Sequence, residues 1–219
     1  MFGAESAGWF LEHAWLIPVI PSVAFAAILF FGKRLGKPVG HGAYFGIASM
    51  LAAFVIAAGA AYQWIQRSND AGKEEFVAPV IKKIVWWRSG GFEFGLGQHI
   101  DGLAITLLVL VTFISTLVQI YSLEYVRDDR RFTHFFASLT LFSAGMLTMV
   151  LAENMVQLIL GWEIMGLCSF LLIGHWWEDG ANSRAALKAF FTVRTGDMGL
   201  LVGTGIVFFG ANAWAQTNL

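Results

Sequence analysis

Apolar positions in this chain come in long unbroken runs, separated by short polar connections. Six runs stand out: Trp15 to Phe31, Tyr44 to Ile65, Asp101 to Tyr121, Thr133 to Ala152, Asn154 to Gly174 and Arg184 to Phe209. Each approaches or exceeds the roughly 20 residues that a helix needs to cross a bilayer core. The pattern predicts an all-α, polytopic membrane protein with about six transmembrane helices. Pro18 and Pro21 fall near the start of the first run, where a helix tolerates proline best. Trp9 and Trp15 suit an aromatic belt at the interface. The second run is rich in alanine and glycine, as expected of a helix packed on protein rather than lipid.

One polar connection is long. Residues 66–98 end in IKKIVWWRSGGFEFGLG, two aromatic and β-branched runs around Ser89-Gly90-Gly91. That pattern predicts a short β-hairpin between the second and third spans. The spans on either side of Glu153 are joined so tightly that they must form an antiparallel pair. We divide the chain into residues 1–100, two helices with a loop and hairpin, and residues 101–219, the start of a helical domain.

Composition agrees with a membrane protein. Hydrophobic residues make up 57% of the 219 and charged residues 13%, about half the usual charged share of a soluble domain. Net charge is −1, which implies no nucleic-acid partner. The single cysteine, Cys168, lies inside a span and offers no disulfide, metal or redox motif. No haem, flavin or iron–sulfur signature is visible, so no cofactor is expected in this chain and electrons should not pass through it. The N-terminus lacks the basic region and small-residue cleavage site of a signal peptide. Lys33, Arg34, Lys37, Arg127, Arg130 and Arg131 cluster in two short connections on one side. The positive-inside rule then places the N-terminus, hairpin and C-terminus outside.

Charges within the runs suggest function. Glu163 sits near the middle of the fifth run, where an unpaired carboxylate costs roughly 3 kcal/mol or more, so it should face protein or water. Gly161 and Gly166 beside it would let a neighbouring helix approach closely. The sixth run carries Lys188, Arg194 and Asp197. Arg194 and Asp197 are three apart, share a helix face and can pair. Lys188 lies nearer the inner surface on a different face, from which it could snorkel. A structural salt bridge and a buried neutral glutamic acid would explain these residues without function. An acid and bases on consecutive helices can also exchange protons, and we favour a relay formed by Glu163, Lys188, Arg194 and Asp197. Glu153 reads as a solvated residue of the turn, Glu124 as a cap at the end of the third span, and His134 and His175 as interfacial histidines. Trp176 and Trp177 read as belt residues, and Gly199 with Gly203 as a close-packing stripe.

Several motifs then carry a resemblance: GWExxGLCSxLLIG from Gly161, KAFxxxRxGD from Lys188, DGL from Asp101, and YSxEYxRxDRR–FxxFFA from Tyr121. In their order along the chain they resemble the subunit L (subunit 5) family of NADH-quinone oxidoreductase, the antiporter-like proton-pumping subunits of respiratory complex I. The motifs run from about Asp101 to Gly203, and the first hundred residues match in layout and hairpin. The resemblance implies that Glu163 is the family's key glutamate, partnered by a lysine on a broken seventh helix. It implies that Lys188, Arg194 and Asp197 are charged positions of the sixth. Partners would be other membrane subunits of complex I and the lipid bilayer, in a multi-pass location in the inner (plasma) membrane. Family members carry more than a dozen helices. This chain lacks the seventh-helix lysine and the second repeat, reads as the N-terminal part of such a subunit, and should not pump alone. Two alternatives remain open: a subunit of a multisubunit Na+/H+ antiporter or membrane-bound hydrogenase, or a truncated non-pumping structural module.

Overall fold

The protein was analysed as a computed structural model, which describes residues 8–36, 42–70, 77–89 and 92–218. The elements run α1 (Trp9–Glu12), α2 (Leu16–Leu35), α3 (Ala43–Asp70), β1 (Val80–Ser89), β2 (Phe92–Ile100), α4 (Gly102–Tyr125), α5 (Phe132–Val150), α6 (Met155–Ile173) and α7 (Gly180–Asn218). Five helices, α2 to α6, are long and apolar enough to cross a membrane. The fold is that of a polytopic membrane protein, as the hydrophobic runs predict. The sixth run lies within α7, a continuous helix of 39 residues. It is not among the five, and its described residues include Lys188, Arg194 and Asp197.

The chain forms two compact units, Met1–Cys168 and Ser169–Leu219. In the first, α2 packs on α3 and α5, and α4 packs on α3 and α5. Helix α3 makes its contacts with small residues. Ala43, Gly46, Met50, Ala53, Ala57 and Ala60 are all buried and recur three or four apart, so they form one seam along the helix. At Gly46 the seam is tightest: a Cβ there would meet Thr140 Oγ1 at 2.8 Å and Gln119 Oε1 at 2.9 Å. Leu11, Ile17, Met50, Ile100, Leu108 and Leu147 join six segments into one core. Asp101 caps α4, its Oδ1 accepting from the Ala104 N–H at 2.7 Å.

The hairpin is present where the sequence places it. β1 and β2 are antiparallel, and the pairs Ser89↔Phe92 and Arg88↔Glu93 leave two residues for the turn. That turn, Gly90–Gly91, lies outside the described residues. The ladder slips by one residue between Val85 and Trp87, the signature of a β-bulge. The strands run to Val80 and Ile100, and α3 runs to Asp70, so regular structure takes up much of the polar connection on either side.

Side-chain amides fasten this hairpin to the helices. Gln98, almost fully buried, donates from Nε2 to the Leu11 carbonyl and accepts at Oε1 from the Trp15 N–H, each at 2.8 Å. Asn154 donates to the Gly95 carbonyl at 2.8 Å and accepts from the Gln157 N–H at 2.9 Å. Gln157 in turn holds Gly97. Lys83 faces Glu153 at 3.9 Å. Glu153 therefore departs from the expected solvated residue. It lies in the turn between α5 and α6, with its side chain 17% exposed against the strand. A glycine at position 97 makes this possible, since a Cβ there would meet Glu153 Oε2 and the Lys82 carbonyl, each at 2.7 Å.

Helices α5 and α6 form the expected antiparallel pair, joined by residues 151–154. Their backbones touch. A Cβ on Gly161 would meet the Gly145 carbonyl at 2.7 Å and the Met149 N at 2.8 Å. Gly161 fills the close-approach role expected of it.

Candidate functional site

Glu163 is placed by α6. Gln157, Gly161 and Cys168 are its buried residues, and Gln157 and Gly161 contact α5. At about 100° per residue, Glu163 points some 200° away from Gly161. It projects from the side of α6 opposite the α5 contact, and it is half-buried. The crossing fixes the helix two residues before the carboxylate, and Ile164, one residue after it, packs over Gly145. The local geometry therefore gives Glu163 a rigid base and a direction.

The other three predicted residues lie on α7, in the second unit. The spacing of Arg194 and Asp197 does produce a pair. Arg194 Nη1 stands 3.3 Å from Asp197 Oδ2, with side-chain exposures of 29% and 5%. The guanidinium also lies over the Phe190 ring, 4.8 Å from its centroid, a cation–π contact that holds the side chain along the helix. Phe190 packs on Phe170, ring centroids 5.2 Å apart. Lys188 is exposed and its backbone carbonyl accepts from Thr192 Oγ1 at 2.8 Å. Asp197 and Arg194 are thus brought together, Lys188 stands on the surface of the helix, and Glu163 belongs to the first unit.

A buried ion pair holds a fixed proton distribution unless a neighbour shifts. Among the described residues there is no cluster of three metal-ligating side chains.

The weaker candidates divide. Glu124 forms an exposed i,i+3 pair with Arg127 at 3.3 Å rather than capping the helix, whose C-cap is Val126. His134 is exposed, as an interfacial histidine should be. His175 is not: it is 5% exposed and meets Trp176 edge-on, ring centroids 5.5 Å apart. Trp176 and Trp177 are exposed, in keeping with a belt. Gly199 and Gly203 have no heavy atom within 4 Å of where a Cβ would stand, so among the described residues the stripe packs against nothing. Sequence reasoning missed Gln98 and Gln157, whose amide side chains organise the outer end of the first unit.

Two families match the chain. The family described as NADH-ubiquinone oxidoreductase (complex I), chain 5 N-terminus, matches residues 86–136. That described as NADH:quinone oxidoreductase/Mrp antiporter, TM, matches residues 152–219. The chain is 40% identical over 192 residues to F(420)H(2) dehydrogenase subunit L of Methanosarcina mazei, covering 88% of this chain and 26% of that protein. It is 38% identical over 207 residues to NADH-quinone oxidoreductase subunit L of Mycobacterium tuberculosis, covering 93% and 31%. Against NAD(P)H-quinone oxidoreductase chain 5 of Synechocystis the identity is 37% over 196 residues, covering 88% and 28%. The chain thus spans about a quarter to a third of the length of these relatives. A chain of the membrane-bound sulfane sulfur reductase, an archaeal respiratory membrane complex, shares the fold with a TM-score of 0.72 at 17% identity, covering 90% of this chain and 37% of that one.

Proposed function

Because the chain belongs to the subunit L/chain 5 family of antiporter-like membrane subunits of NADH-quinone oxidoreductase, we propose that it supplies the first helices of a proton-translocating subunit. Proton transfer runs through Glu163 with Lys188, Arg194 and Asp197, and is driven by electron transfer from NADH to quinone in other subunits. The partners are the other membrane subunits of that complex, and the location is the plasma membrane, multi-pass. The chain itself carries no redox group in this reading.

One observation carries it. Glu163 stands in GWEIMGLCSFLLIG, half-buried, two residues from the point where α5 and α6 make backbone contact. A carboxyl held that firmly at mid-span changes its proton affinity when a neighbouring cation moves, which is the property a pump needs. The Arg194–Asp197 pair is a further set of buried and half-buried charges on α7. A second reading follows from the 40% identity to a subunit of F(420)H(2) dehydrogenase: the electron donor is F(420)H(2), and the work of this chain is unchanged.

The test is Glu163→Gln in the full-length subunit, assembled in its complex. This change keeps size and most hydrogen bonds but removes the titrating group. Assembly should survive, and proton pumping in sealed vesicles should fall, with quinone reductase activity lowered as well where coupling is tight. A wild-type proton-to-electron ratio would overturn the relay role. Replacing the electron donor in the same vesicles separates the two readings.

A further inference from the structure

A cavity of about 300 Å³ opens between α2, the hairpin and α6 at the hairpin end of the first unit, a volume in the range of small ligand sites. Its walls include Pro18 and Val19 of α2, Ile84 and Leu96 of the hairpin, and Leu160 of α6. Trp15 and Lys82 stand at the same end, Trp15 one residue before the membrane-crossing segment that starts at Leu16. From Trp15 to Ser22 the groove follows α2 for about 10 Å. It therefore reaches from the interface into the first part of the acyl-chain region.

The polar groups of the lining show what would fit. Ser22 donates to the Pro18 carbonyl at 2.8 Å, and Thr148 to the Ala144 carbonyl at 2.8 Å. Both amide groups of the lining, Gln98 and Gln157, are committed to backbone partners. Lys82 differs. Its ammonium has a single long bond, 3.4 Å to the Glu12 carbonyl, and no acidic partner among the described residues. Its neighbour Lys83 points to the other face of the strand and is matched by Glu153. The groove thus offers an apolar bed, satisfied hydroxyls and amides, and one uncompensated cation at the interfacial rim. That arrangement complements an amphiphile with an acidic head.

We propose that this groove binds an anionic phospholipid, with its phosphate on Lys82 and one acyl chain lying between Val19 and Leu160. The site requires only that α2 and α6 cross the bilayer and does not depend on the proton-relay reading.

The test places a photoreactive benzophenone side chain at Val19 in the assembled complex. The complex is reconstituted in vesicles of phosphatidylglycerol and phosphatidylethanolamine of known ratio. After irradiation, adducts are identified by mass spectrometry, with Leu103, exposed at the same end of α4, as the reference position. Phosphatidylglycerol adducts at Val19 should exceed the bulk ratio about fivefold, the effect of one lysine on an anionic lipid. Adducts at Leu103 should follow the bulk ratio. Lys82→Gln should abolish the excess at Val19. Adducts at the bulk ratio would reduce the groove to ordinary annular lipid and overturn the proposal. So would an excess that survives Lys82→Gln, or cross-links to polypeptide in place of lipid.

Discussion

Gln157 grips the peptide of Gly97 at both ends: its Oε1 accepts from the Gly97 N–H at 2.8 Å and its Nε2 donates to the Gly97 carbonyl at 2.9 Å. One side chain on α6 thereby satisfies a donor and an acceptor on an edge of the hairpin that no third strand among the described residues covers. Removing it leaves both groups without their partner, a loss of about 1–3 kcal/mol. Gln157→Met, similar in shape but without the amide, should speed backbone hydrogen exchange across residues 92–100. Exchange within α3 should stay unchanged. Equal protection in both proteins would show that the clamp contributes nothing.

The α5–α6 crossing predicts a steep response to a single methyl group. At Gly161 the atoms in the way are backbone, so no side-chain rotation can relieve a clash. Gly161→Ala should destabilise the subunit by about 1–3 kcal/mol, as overpacking does, and lower the melting temperature in detergent. Gly203→Ala meets open space and should be neutral or slightly stabilising, since alanine favours a helix by about 1 kcal/mol over glycine. The prediction fails if the two substitutions behave alike.

The Arg194–Asp197 pair should be asymmetric. Asp197 is nearly buried and Arg194 keeps partial access to water and the Phe190 ring. Arg194→Ala takes the neighbouring cation from a buried carboxylate and should cost more stability than Asp197→Asn, which leaves a cation that can still use its ring and solvent. The difference should be about 1–3 kcal/mol, below the 3–5 kcal/mol seen when a fully buried pair is broken. Thermal unfolding of the purified subunit measures it, and a reversed order would contradict the burial described for Asp197.

Topology is testable with the chain's own background. Cys168 is fully buried, so an added cysteine should dominate labelling. Asp70 ends α3 near the hairpin, and Asp129 lies between α4 and α5 at the opposite end. An impermeant maleimide applied from outside should modify Asp70→Cys and spare Asp129→Cys. The opposite result would invert the orientation derived from the basic connections.

Local pattern carried much of this fold. Hydropathy alone delimits α2 to α6, and Gly90-Gly91 between aromatic runs announces the hairpin. The three-residue spacing of Arg194 and Asp197 foretells their pair. What the pattern does not encode is contact at long separation. Gln98 and Gln157 look like unremarked polar residues, yet their partners lie 87 and 60 positions away. Glu153 reads as solvated because its neighbours in sequence are polar, while Lys83 and Gly97 become its surroundings only once the hairpin folds back. α1 is four residues long, too short to show a period. His175 is buried by packing that no flanking residue foreshadows.

α7 also measures depth. Its 39 residues rise about 58 Å, nearly twice the roughly 30 Å of hydrocarbon. Even tilted by 40°, the far end of the usual range, it would rise about 45 Å, the full span from head group to head group. Placed across a bilayer, a helix of that length exceeds the hydrocarbon thickness. Arg194 and Asp197 lie about 21 and 25 Å from its first residue, close to the halfway mark. A helix centred on the bilayer at that point would hold the salt bridge near the mid-plane, where competing water is scarcest.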